Sequence, residues 1–303
     1  MRLCVLMSTY NGMKYIKEQL DSIFGQEAEN VEIHVLIRDD GSTDNTVAFC
    51  RDYATQNNVA ISIIEGNNIG PSASFLHLIQ DCGEFDYYAF CDQDDVWLEG
   101  KVRAAISALS KISGSALWVS NYDVTDSELN VIEKGALEQP ETDQLKALFY
   151  NNTPGCTMIL NKDLLLELRK LKLDDFRMHD ILTLCVSLIS GKVIFDNTSY
   201  IYYRQHSANA VGKYSKKIKP IKWIKDKFRI VISDYSFNYT SFAQKVLETY
   251  DDLLDNKIKE EYILVSNYKK GLNRLRLLKK PYTQGNGGRT SKSIRMRILI
   301  GKV

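Results

Sequence analysis

Apolar residues collect along the first 120 positions in short runs separated by segments of a different period. Leu3–Met7, Val31–Ile37, Val59–Ile64, Tyr87–Cys91 and Ala116–Val119 have strand length and strand composition. Between them, Ile16, Leu20, Ile23 and Phe24 follow the i, i+4, i+7, i+8 spacing of a helix, and residues 44–57, 73–82 and 99–112 carry similar patterns. The alternation predicts an α/β fold whose mostly parallel sheet is flanked by helices. In such sheets ligands bind outside the carboxyl ends of the strands.

Those ends are polar in an ordered way. The first run passes into Ser8-Thr9-Tyr10-Asn11-Gly12, the second into Asp39-Asp40-Gly41-Ser42-Thr43-Asp44, and the fourth into Asp92-Gln93-Asp94-Asp95. Gly41 suits a turn, and Ser42 to Asp44 suit the cap of a helix starting near Asn45. Asp39 and Asp40 precede that turn and are available as acceptors for a ligand's N–H or hydroxyl groups. In an extended segment Asp92 and Asp94 point to one side and Asp95 to the other. Two readings stay open for this cluster. It holds a hard divalent ion, Mg²⁺ or Mn²⁺, that shares its shell with a phosphorylated substrate, or it is an acidic turn capping the next helix. Neither GxGxxG nor GxxxxGK[ST] is present, so phosphate charge is not met by a glycine-rich cradle.

The 303 residues, 44% of them hydrophobic, suffice for one large domain with an appendage. Six scattered cysteines without a CxxC pair read as reduced core residues, which suits the cytoplasm. The opening apolar run is too short for a signal-peptide core, and no uninterrupted apolar stretch could span a bilayer. The net charge of +1 hides an asymmetry: residues 1–212 hold 17 Lys and Arg against 30 Asp and Glu, and residues 213–303 hold 22 against 8. From Lys213 to Ile230 lysines interleave with Ile218, Ile221, Trp223, Ile224 and Phe228. That pattern suits an anionic membrane surface, or equally a helix packed on the first domain with a solvated lysine face. Ile294–Val303 is a second short basic and apolar stretch, and no nucleic-acid module accompanies the charge.

Over residues 1–210 the three strand-end clusters together resemble the family 2 glycosyltransferases, inverting enzymes of the GT-A fold. A narrower resemblance, to the bacterial rhamnosyltransferase branch, rests on Asp92-Gln-Asp94-Asp95-Val-Trp97, Gly155-Cys-Thr-Met158, His179-Asp180 and Tyr203-Arg-Gln-His206-Ser-Ala-Asn209-Ala-Val-Gly212. It implies transfer of a sugar, L-rhamnose from dTDP-L-rhamnose, from a dTDP- or UDP-sugar to a lipid-linked or growing cell-surface polysaccharide. It places the enzyme peripherally on the inner face of the plasma membrane. The implied units are 1–212, catalytic, with a nucleotide-sugar half (1–120) and an acceptor half (121–212), and a helical extension 213–303.

Residue by residue, the resemblance implies a nucleotide-sugar site of Ser8, Thr9, Tyr10, Asn11, Asp39, Asp40, Asp92, Gln93, Arg204 and His206. Asp40 would accept the base's ring N–H, and Arg204 would donate to a phosphate. Asp94 would bind the metal, Asp92 the metal or the ribose, and His206 would complete the metal shell or donate to a phosphate oxygen. Asp180 would be the base that deprotonates the acceptor hydroxyl, as a single inverting displacement requires. Gly155, Cys156, Thr157, His179 and Trp97 would line the acceptor side, Gly155 letting the backbone approach the sugar. Two alternatives compete: a sugar nucleotidyltransferase, whose glycine-rich, lysine-bearing opening is missing, and a catalytically idle membrane-bound assembly protein, against which the intact carboxylates argue.

Overall fold

The structure, a computed structural model, describes residues 1–171, 178–206, 238–284 and 289–301. Strand β1 (Arg2–Thr9) is central, with Leu3 to Met7 all inaccessible to solvent. Its neighbours β2 (Glu32–Asp39) and β4 (Tyr87–Cys91) run parallel to it, and β3 (Ala60–Glu65) continues the parallel array beyond β2. Unbroken apolar runs suit this position, because helices cover both faces of a parallel sheet. The covering helices of this half include α1 (Ile16–Phe24), α2 (Thr46–Asn57), α3 (Pro71–Asp81) and, after a two-residue strand β5 (Val96–Trp97), α4 (Lys101–Leu109).

Beyond β4 the sheet is mixed. Strand β8 (Met158–Asn161) lies antiparallel between β4 and β6 (Ser115–Thr125). The long β9 (Gly191–Arg204) runs parallel to β6, while β5 pairs antiparallel with β9 and β7 (Val131–Glu133) pairs with β6. The full order is β3-β2-β1-β4-β8-β6-β9-β5. Two successive reversals, β4 to β8 and β8 to β6, return β6 and β9 to the direction of β1. The carboxyl ends of β1, β2, β4, β6 and β9 therefore meet on one edge.

Helices α5 (Gln144–Phe149), α6 (Lys162–Lys170) and α7 (His179–Ser190) complete this half. All six cysteines are free and buried, as their apolar settings predicted. The C-terminal region is helical: α8 (Tyr239–Thr249), α9 (Asn256–Ser266), α10 (Asn273–Leu278), α11 (Pro281–Gln284) and α12 (Arg289–Ile300). It packs on the sheet-bearing unit through Phe149, which stacks on Tyr239 at 4.9 Å and on Tyr282 at 5.8 Å. Tyr150 Oη donates to the Thr283 carbonyl (2.7 Å) and Tyr250 Oη to that of Glu167 (2.8 Å). The basic stretch 213–230 and residues 207–212 of the rhamnosyltransferase-like motif lie outside the described residues. Among the described residues no helix is long and apolar enough to cross a membrane.

Candidate active site

The first two strand ends are stitched together before any ligand is considered. Thr9 Oγ1 donates to Asp39 Oδ1 (2.8 Å), and Ser42 donates to Asp39 from both its hydroxyl (2.6 Å) and its backbone N–H (2.7 Å). Asn11, held at φ +49°, accepts on its Oδ1 from the Thr43 N–H (2.8 Å) and the Asp44 N–H (3.3 Å). Asn is among the few non-glycine residues that tolerate this left-handed conformation. Asp44 in turn accepts from the Thr46 N–H at 3.0 Å at the start of α2, whose N-cap position is Asn45, one residue beyond the predicted segment. Gln93 locks the third strand end to the first, accepting from the Tyr10 N–H (2.9 Å) and donating to the Tyr10 carbonyl (3.1 Å). A side chain on Gly12 would collide with Gln93 Oε1 at 2.3 Å, so glycine is needed for this closure.

The two aspartates assigned to base recognition are both 2% exposed and are engaged by the chain itself. Asp40 accepts from Arg38 Nη1 (2.6 Å) and from the N–H groups of Ile69 (2.9 Å) and Gly70 (2.8 Å). A carboxylate has about four acceptor positions, so one remains on Asp40. Arg38, buried and bonded also to Ser74 Oγ at 2.6 Å, went unrecognised in the sequence. Its only signal there is a charge at the end of an otherwise apolar strand.

The carboxylate cluster departs from the extended geometry. Asp92 to Asp94 bend, and Asp95 is followed by β5, so it caps no helix. Asp95 instead turns inward, 1% exposed, and accepts the backbone N–H of Arg204 at 3.0 Å. Its carboxylate, that of Asp92 and the Cys156 thiol offer atoms within 4.8 Å of one another, which overturns the opposite-face placement of Asp95. The pairing of β5 with β9 is the cause: Val96 lies opposite Tyr202, which brings the residues before β5 against the end of β9.

The end of β9 also delivers His206. Its Nε2 lies 2.7 Å from Asp94 Oδ2, and its ring stacks on Tyr15 at 4.8 Å. Arg204 has its guanidinium taken up by groups of the chain itself. It is 2% exposed, with Nε on the Asp94 carbonyl (2.8 Å), Nη1 on the Ser127 carbonyl (2.7 Å), Nη2 on Glu18, and its guanidinium 4.5 Å from the centre of the Tyr15 ring. These bonds tie the guanidinium to the Asp94 backbone, to the Ser127 backbone and to α1. Tyr15 and Glu18 carry no motif that would have marked them.

Burial and mutual repulsion dominate the electrostatics. Desolvation, then the charges of Asp94 and Asp180, pushes the Asp92 carboxyl far above its ordinary value, and desolvation followed by Asp94 and Asp92 does the same to Asp95. Lys101 works against both: fully buried, it donates to the Cys156 carbonyl at 2.7 Å and lies 4.0 Å from the centre of the Trp97 ring. Burial lowers its own pKa to about 8, which leaves it charged at neutral pH. Burial pushes the Cys156 thiol well up, and a soft sulfur suits a hard Mg²⁺ or Mn²⁺ ion poorly beside Asp92 and Asp95.

The acceptor-side residues sit deeper than the resemblance implied. Trp97 and Cys156 are 3% and 2% exposed, and Thr157 is inaccessible, its hydroxyl donating to the Pro154 carbonyl at 2.7 Å. They form the floor of the site. A side chain on Gly155 would meet His179 Nε2 at 2.2 Å, so the glycine makes room for His179. His179 stacks on Phe75 at 3.9 Å and meets Phe90 edge-on at 4.8 Å. Burial lowers its pKa to about 3, so it is a neutral packing ring. It presents Asp180 in the first turn of α7, after Met178 in the left-handed region (φ +80°). Asp180 accepts the Ile181 N–H at 2.8 Å, and burial raises its carboxyl to about 6.

Strand-end carboxylates on a curled α/β sheet, with a second-half aspartate close enough for its charge to reach Asp92, define a glycosyltransferase of the GT-A fold. The model of glycosyl transferase family 2 matches residues 4–167, and the chain belongs to that family. It is 30% identical over 273 residues to the dTDP-rhamnosyl transferase RfbG of Shigella flexneri, covering 85% of this chain and 89% of that protein. Among solved structures, S. aureus TarS 1–349 in complex with UDP-GlcNAc superimposes with a TM-score of 0.59 at 16% identity, over 100% of this chain and 89% of that one. The mannosyltransferase PcManGT from Pyrobaculum calidifontis, in complex with GDP-Man and Mn²⁺, does so at 0.52 and 17% identity, over 100% and 88%. Family membership removes the nucleotidyltransferase alternative.

Proposed function

We propose that the enzyme transfers L-rhamnose, with inversion, from dTDP-L-rhamnose to a lipid-linked or growing cell-surface polysaccharide at the cytoplasmic face of the plasma membrane. The donor follows the 30% identity to a dTDP-rhamnosyl transferase, and the membrane location follows the acceptor class and the basic C-terminal region. The observation that carries the catalytic reading is the 2.7 Å approach of His206 Nε2 to Asp94 Oδ2 beside Asp92. Carboxylate and imidazole donors suit Mn²⁺ or Mg²⁺, and the buried Asp95 Oδ2, without a hydrogen-bond partner, fits a site short of positive charge. Asp94, Asp92 and His206 would hold the ion. When bound, it supplies positive charge to the leaving diphosphate.

The chain's own residues do the rest. Arg204 and Lys101 fix the floor beneath the carboxylates, and Thr9 and Asp39 hold the first two loops at a set distance. Ser8, Tyr10, Asn11 and the last acceptor position of Asp40 receive the nucleoside, while Gln93 keeps the loops closed. Asp180 takes the proton of the acceptor hydroxyl as that oxygen attacks the anomeric carbon. A thermal-shift series with nucleotide sugars and Mn²⁺ tests the reading, since a ligand held at 100 times its Kd adds about 2.7 kcal/mol to the folded state. We expect dTDP-L-rhamnose with Mn²⁺ to raise the melting temperature and Asp94→Ala to abolish the Mn²⁺-dependent part. An unchanged Mn²⁺ effect in Asp94→Ala would remove the metal assignment.

A further inference from the structure

The C-terminal helices turn a face outward that their own packing does not use. Helices α10 and α12 are joined where Arg274 Nη1 donates to the Leu299 carbonyl at 3.3 Å. Their inner sides are satisfied: Leu277 and Ile298 are inaccessible and Ile294 is 4% exposed. On the outer side Leu272 is 73% exposed, Leu275 54%, Leu299 51% and Ile300 47%. Single exposed leucines are ordinary, but one pair at the start of α10 and another at the end of α12 are not scattered. Around them Lys269, Lys270, Arg276 and Arg295 are exposed, and every charged residue in 268–280 and in 289–303 is basic.

This combination selects among occupants. A second copy of the chain would bring one uniformly basic rim against another, and like charges brought together oppose association. A single-stranded nucleic acid would look for exposed aromatic platforms, yet Tyr268 is inaccessible. An anionic bilayer meets both demands, taking aliphatic side chains at its acyl boundary and basic side chains among its headgroups.

We propose that the α10–α12 face is a docking surface for anionic phospholipid, seating Leu272, Leu275, Leu299 and Ile300 in the interface. The inference deepens the membrane-acceptor reading and rests on it for its purpose, but not on the assignments of Asp94 or Asp180. The surface is built by α10, the residue before it and α12, and draws no residue from the stretch 213–230.

The test is co-sedimentation of the full chain with phosphatidylcholine vesicles, with and without phosphatidylglycerol. The wild type should pellet with the anionic vesicles only. The double variant Leu272→Glu/Leu275→Glu and the single variant Leu299→Glu should each weaken that binding by about tenfold or more, because each loses apolar insertion and gains repulsion. Arg276→Ala/Arg295→Ala should weaken it with the apolar side chains intact, which guards against a folding artefact. Unaltered melting temperatures and an unaltered thermal shift with dTDP-L-rhamnose and Mn²⁺ would separate the docking surface from the donor site. Wild-type vesicle binding in all three variants would overturn the proposal. So would a dimer, seen by sedimentation velocity, that the leucine variants dissolve.

Discussion

Asp180 gains its chemistry from its surroundings more than from its identity. A carboxylic acid is a weak base when fully solvated, and burial that lifts it to about 6 moves it toward the pH at which a hydroxyl proton must be taken. The direction sets the expected pH dependence: with Asp180 as the proposed base, active when ionised, activity should fall as pH drops through about 6. The folded state, with the higher carboxyl pKa, binds that proton more readily than the unfolded chain. This group therefore favours folding most at acid pH, and the advantage is lost as pH rises through about 6. We expect kcat/KM for transfer to show an acid limb near that value. Asp180→Asn should reduce kcat by about 10² to 10⁴ while leaving donor Kd close to wild type. A variant that keeps its turnover would move the base elsewhere.

Elements decided how much of the site could be read from the sequence. The strand ends at Thr9, Asp39 and Cys91 were legible because buried parallel strands write continuous apolar runs, and polar residues ending such runs stand out. The second half was not, because its pairing is non-local: nothing in Val96-Trp97 announces a strand opposite residues 201–202, and that pairing alone turns Asp95 inward and Arg204 under it. Lys101 was missed for a related reason. As the first residue of α4 it reads as an ordinary solvated lysine, although a cation there opposes the helix dipole. Tertiary placement overrides this, since only a long side chain at that point reaches the Cys156 carbonyl and offsets the carboxylates above. Lys101→Met removes that donor and that charge while conserving most of the volume. It should lower stability by about 1–3 kcal/mol in urea unfolding, and an unchanged midpoint would show that the carboxylates do not need it.

At the scale of the molecule, the acidic body and the basic C-terminal region have to act as one object if a docked appendage is to hold the active site at a surface. Their junction is aromatic: Phe149, Tyr239 and Tyr282 are 3%, 5% and 7% exposed and stack in near-parallel planes, 13° and 17° apart. Offset ring pairs of this kind add about 0.5–1.5 kcal/mol each beyond the area they bury. The half-buried bonds from Tyr150 to Thr283 and from Tyr250 to Glu167 cross the same junction, so contacts far apart in sequence are lost together on separation. We expect such a junction to couple unfolding of the two parts into a single transition. Phe149→Ala empties the middle of the stack and should cost about 3–5 kcal/mol, the range for deleting a buried phenyl ring. In calorimetry the wild type should melt in one step. The variant should melt earlier, in one step or with the appendage leaving first, and its vesicle binding should uncouple from transfer to a membrane-borne acceptor while donor binding persists. If Phe149→Ala left the melting profile unchanged, the appendage would be an independent module, and its exposed leucines could not orient the catalytic edge.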